Sequence, residues 1–117
     1  GDWDGKSIED VKAEDPDAYQ AWLNSTAYAP GGGESYDQAR IRVEAAMEKL
    51  LAEYPAQKVC VVTHNGVIKS AVSIALHAPH DAVFHMDATP CSITTISMWP
   101  SDGLRALRSF SERGHFR

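Results

Sequence analysis

The sequence predicts an α/β domain in which amphipathic helices pack on a sheet. Three observations predict it. Residues 58–63, "KVCVVT", form an apolar run on both faces, the pattern of a parallel strand buried in a sheet. Amphipathic segments flank that run, at 35–54 and 66–76. Strand-like composition then returns at 91–99 and 104–110, which gives a helix–strand–helix–strand order and a layered sheet.

Each element has a local chemical reason. Ser7 caps a short helix through Ala13. Asp15-Pro16 starts a second helix, with Pro16 at the first helical position, running to about Leu23. Residues 25–34, "STAYAPGGGE", form a loop, because three consecutive glycines and a proline defeat regular structure. Ser35 and Gln38 make a capping box that opens the longest helix. Tyr36, Ala39, Val43, Met47, Leu50 and Tyr54 recur at three- and four-residue spacing along one face, and Pro55 closes it. The helix at 66–76 ends before Pro79, and Ser101-Asp102-Gly103 turns the chain between the last two strands.

The chain has 117 residues, enough for one domain or part of one, and its 44% hydrophobic content suits a globular core. Eleven basic residues against sixteen acidic ones give a net charge of −5, with no basic patch, which argues against nucleic acid or an anionic membrane as partner. No apolar run approaches a membrane span, and no basic-then-apolar leader starts the chain. Cys60 and Cys91 lie in apolar, strand-like contexts and read as reduced and buried. Together these features predict a cytoplasmic protein.

His64 stands at the junction between the strand and the next helix. In open α/β sheets ligands bind beyond the carboxyl ends of strands, where helix N-termini converge. The amides of Asn65, Gly66 and Val67 open that helix and favour an anion. A histidine adds ring donors and, protonated, a full charge, which suits a phosphoryl group. The alternative is a histidine that caps the helix or satisfies a nearby carbonyl.

Other features carry structural readings. Gly5-Lys6-Ser7 matches only the tail of a phosphate loop, with no strand before it, and Trp3-Asp4 lacks the repeat that a propeller needs. His77, His80, Asp81 and His85 fit no standard metal spacing, and Pro79 divides the first two. Glu34 is expected to complement the helix dipole, with a catalytic role as the alternative, Arg40 and Arg42 to form a solvated face, and Trp3, Trp22 and Trp99 to anchor the core.

Three stretches in this order resemble the C-terminal portion of the histidine phosphatase superfamily, in its phosphoglycerate mutase-like branch: "GDWDG" (1–5), "PGGGESY" (30–36) and "VCVVTHNGVI" (59–68). The resemblance implies a three-layer α/β/α sandwich, with residues 1–117 as the C-terminal part of one such domain. It implies that His64 is the second active-site histidine, touching the transferred phosphoryl group, with Asn65 and Gly66 binding substrate beside it. In that family another histidine attacks phosphorus and is itself phosphorylated. Two arginines and the second histidine hold the equatorial oxygens, and a carboxylic acid protonates the leaving oxygen. No metal or cofactor is implied.

The Arg-His-Gly triplet that bears the family's nucleophile is missing from the chain, and the clamp arginines and the acid have no residue in matching context. The expected activity is therefore that of a phosphomonoester phosphatase whose nucleophile lies outside this chain, with the isolated chain inactive. A phosphoglycerate mutase-type phosphomutase and a non-catalytic phosphate-binding or interaction module are the alternatives. The substrate class is a phosphorylated small molecule. The two-sided apolar strand also needs cover, from a missing N-terminal half or from a second copy of the chain.

Overall fold

The structure, a computed structural model, describes residues 1–116. Five helical pieces and one hairpin follow in order: α1 (Ile8–Glu14), α2 (Pro16–Asn24), α3 (Tyr36–Glu53), α4 (Asn65–Ala75), a 3₁₀ turn (His80–His85), β1 (Ile93–Met98) and β2 (Arg105–Glu112). The class is α/β, as expected.

Three helix starts follow the cap chemistry. Ser7 and Asp10 make a reciprocal capping box on α1. The Asp15 side chain accepts from the Ala18 amide, with Pro16 in the first turn of α2. Ser35 and Gln38 repeat the box on α3, and Ser35 is buried. Helix α4 closes with His77 in the left-handed region (φ 51°) and the Ala78 amide donating back to the Ser73 carbonyl, just ahead of Pro79.

The core lies between α3, α4 and the hairpin. Val43 and Met47 of α3 meet Ile74 of α4, with Val67, Ala71, Ile96 and Met98 packed around them. Val72 and Ser73, just before Ile74 in α4, are fully enclosed. Strands β1 and β2 pair antiparallel, from Ile93 opposite Glu112 to Met98 opposite Arg105, with irregular register near Thr95. Gly103 (φ 71°) turns the chain between them, as the Ser-Asp-Gly signal predicts. A second, aromatic layer joins Trp3, Trp22, Tyr36 and Phe84, with Trp22 edge-on to Trp3 and Phe84 and stacked on Tyr36.

One element departs from expectation. Residues 58–63 form no strand: the segment has no regular structure and no ladder partner, with Val59, Val61 and Val62 46%, 58% and 96% exposed. A strand exists only through a ladder, and the hairpin uses its own two strands on each other. This segment and β1 both line a groove of about 720 Å³, through Val59, Val61 and Thr63 and through Thr95 and Ser97, with Met47 of α3 also in its lining. The cysteines are corrected with it. Cys60 lies on the unpaired segment, Cys91 takes a left-handed turn conformation before β1 (φ 60°), and both are exposed. Trp99 is also partly exposed rather than a core anchor.

Candidate active site

His64 occupies the N-cap position of α4, in extended backbone geometry (φ −117°, ψ 164°), and its side chain makes no capping bond. Its carbonyl accepts from the Val67 and Ile68 amides. The expectation of three free amides is therefore corrected to two: Asn65 and Gly66 keep N–H groups with no backbone acceptor among the described residues. Those amides carry the positive end of the α4 dipole.

His64 and Gly66 line a cavity of about 290 Å³ with Trp22, Ser35, Tyr36 and Val67. A methyl group at Gly66 would meet the Tyr36 ring at 3.7 Å, an ordinary contact, so packing does not demand glycine there. The missing side chain instead keeps the floor between His64 and Tyr36 open. Burial pushes the Tyr36 phenol up from its usual range, so it stays a neutral donor at pH 7. The Asn65 side chain turns away from the cavity and donates to the Ala88 carbonyl at 2.7 Å. Its contribution to the junction is thus its main-chain amide, while its side chain ties the start of α4 to the segment before β1.

Two charged groups that the sequence reads separately meet at this cavity. Arg42 grips Glu34 in a two-pronged pair, Nε to Oε2 at 3.0 Å and the second nitrogen to Oε1 at 2.8 Å. Glu34 therefore answers a guanidinium rather than the helix dipole, and Arg42 is not simply a solvated face. The pair draws the Glu34 carboxyl below its usual range. Both residues line the His64 cavity. Arg40 is corrected too: its guanidinium donates to the enclosed Ser73 hydroxyl at 2.8 Å, tying α3 to α4.

The remaining histidines stand apart. His80 Nδ1 lies 2.7 Å from Asp37 Oδ1, and the His115 ring lies 2.9 Å from the Cys91 carbonyl. None of His77, His80, His85 and His115 lines the His64 cavity. Among the described residues, no three His, Cys, Asp or Glu side chains gather as a metal site.

The "GDWDG" and "PGGGESY" stretches meet in space. The Asp2 amide donates to the Gly31 carbonyl at 2.7 Å, and a side chain at Gly1 would strike that oxygen at 2.5 Å. This close approach holds Trp3 against Trp22, and Trp22 forms one wall of the cavity. The "PGGGESY" and "VCVVTHNGVI" stretches thus line the His64 cavity directly, and "GDWDG" backs it through Trp3 against Trp22.

The unpaired segment before α4 thus ends at a helix start with two amides free of backbone acceptors and a histidine side chain that makes no capping bond, beside a cavity. A profile of the histidine phosphatase superfamily (branch 1) matches residues 1–109, and the chain belongs to that superfamily. The chain is 31% identical over 86 residues to the adenosylcobalamin/alpha-ribazole phosphatase of Escherichia coli, covering 73% of this chain and 42% of that protein. It superposes on Bacillus stearothermophilus YhfR with a TM-score of 0.86 at 24% identity, over 100% of this chain and 58% of that one. The mycobacterial glucosyl-3-phosphoglycerate phosphatase Rv2419c superposes with a TM-score of 0.79 at 26% identity, over 96% of this chain and 60% of that one. The chain thus spans less than two thirds of each of these proteins. Among the described residues no helix is long and apolar enough to cross a membrane.

Proposed function

We propose that this chain supplies the phosphate-binding half of a phosphomonoester phosphatase that works through a phosphohistidine. The observation that carries the reading is His64: unengaged, at the start of α4, beside two free amides and facing a cavity. In this reading the phosphoryl oxygens sit on the Asn65 and Gly66 amides, and the His64 ring donates to a third oxygen. As the transition state forms, charge builds on those oxygens, and donors already aimed at them lower the barrier without reorganisation.

The attacking histidine lies outside this chain. Its nitrogen bonds to phosphorus as the ester P–O bond breaks and an acid protonates the leaving alcohol. Water then hydrolyses the phosphohistidine to inorganic phosphate. The Escherichia coli and Rv2419c similarities favour phosphatase over mutase, since both of those proteins are named as phosphatases. The substrate is a phosphorylated small molecule and the setting is the cytoplasm. The groove lined by residues 58–63 and β1 is covered by the rest of the domain, whose strand pairs with both unpaired edges.

The test is His64→Ala in a domain completed by its missing half, assayed on an aryl phosphate. Loss of one such donor typically costs 10²–10³-fold in kcat. A loss under twofold overturns the assignment.

A further inference from the structure

The His64 cavity holds a cation that is not free. Among the residues lining it there is one guanidinium, Arg42, and one carboxylate, Glu34, and they are closed on each other. The two sit in different structural contexts. Glu34 is in the glycine-rich loop just before the Ser35 cap, whereas Arg42 is two turns into α3. Neither is locked in place: the Arg42 side chain is 61% exposed and that of Glu34 41%. A pair this open gains little over two hydrated ions, so an incoming anion can compete for the guanidinium. The planar fork that grips a carboxylate by two bonds grips a phosphate in the same way.

We propose that Arg42 is an anion-receiving residue of the His64 site, parked on Glu34 while the site is empty and transferred to an oxyanion of the substrate when it fills. The proposal rests on the phosphoryl reading of His64. It gives the site the positive side chain that His64 and two amides alone do not guarantee. Glu34 then acts as a counter-ion that competes with substrate. An anion must displace it, so the site discriminates against groups too weakly charged to do so. Neutral or monoanionic esters are disfavoured relative to phosphate dianions.

The two partners make opposite predictions. The 117-residue chain is titrated with inorganic phosphate, with potassium chloride at matched ionic strength as control. Binding is read from the ring resonances of His64, assigned by their loss in His64→Ala. Arg42→Gln is expected to weaken phosphate binding about tenfold, the low end for a charge-assisted hydrogen bond in a partly exposed site. Glu34→Gln is expected to tighten it, because the guanidinium is released and a negative charge removed. Arg42→Lys is expected to fall between wild type and Arg42→Gln, keeping the charge but losing the fork. Urea midpoints of each variant report whether the fold is intact. If Arg42→Gln fails to fold, Glu34→Gln decides alone.

Phosphate binding at His64 that neither variant changes overturns the proposal and leaves the pair a fastener between loop and helix. Weaker binding in Glu34→Gln overturns it as well. Phosphate that leaves the His64 resonances unmoved in the wild-type chain overturns the phosphoryl reading itself, and the proposal with it.

Discussion

Replacing Ile74 by alanine tests the packing that positions α4, and with it His64. Ile74 is 3% exposed and sits between Val43 and Met47, within a shell of Val67, Ala71, Ile96 and Met98. Deleting most of a buried isoleucine costs 2–5 kcal/mol, the spread reflecting how far the site collapses. Two features place this site at the low end. Met47 is unbranched and can swing into the void. Val43, Met47, Ile96 and Met98 also line the groove, so they can move without straining a closed core. The expected cost is therefore about 2–3 kcal/mol. Ile74→Val removes one methylene and is expected to cost about 1 kcal/mol. The assay is urea denaturation followed by far-UV circular dichroism, with the change read from the midpoint at constant slope. A cost below about 1 kcal/mol for Ile74→Ala would refute the packing argument. A cost above about 4 kcal/mol would show a rigid core and refute the role given to the groove.

Two more predictions follow from surface groups. In the chain by itself, Val61→Lys is expected to change stability by less than about 0.5 kcal/mol, because Val61 is 58% exposed on an unpaired segment. In a completed domain the same substitution is expected to weaken association strongly, and equal association of both forms in a sedimentation experiment would contradict the covered groove. The Asp37 carboxyl is held below its usual range by hydrogen bonds from Thr26 and His80. A carboxyl depressed on folding stabilises the protein above its unfolded value and loses that effect as pH falls through the folded value. Asp37→Asn is therefore expected to cost under about 1 kcal/mol at pH 7, small because both partners are exposed, and nothing once the wild-type carboxyl is protonated. Urea midpoints of both proteins compared across the acid range check this; a gap that persists at the acid end would contradict it.

What was legible in the sequence divides along the range of the forces. Ser7, Asp15 and Ser35 announce their helices because a cap is a contact over three residues. Ser101-Asp102-Gly103 announces the hairpin for the same reason. The face read from Tyr36 to Tyr54 includes Val43 and Met47, which are core, but it ends on an exposed Tyr54 at the groove. Residues 58–63 misled because their valines report what a strand would bury, while pairing depends on a neighbour that no local pattern encodes. Cys60 followed the same error. The Glu34–Arg42 pair was missed because eight residues separate its members and one lies outside the helix, so the three- and four-residue rule does not apply. Asp37 and His80 are 43 residues apart and left no local signal. The place of His64 at a helix start was legible because a strand-like run, a titratable residue and helix-start signals coincide within a few positions.

The central claim, that His64 contacts a phosphoryl group attacked by a histidine from outside this chain, is tested most directly by assaying aryl phosphate hydrolysis with the 117-residue chain alone and after joining it to the missing half of the domain. The expected result is no turnover from the chain alone, turnover on completion, and loss of that turnover by about 10²–10³-fold with His64→Ala. Turnover by the chain alone that His64→Ala abolishes would contradict the account, because His64 would then be the nucleophile.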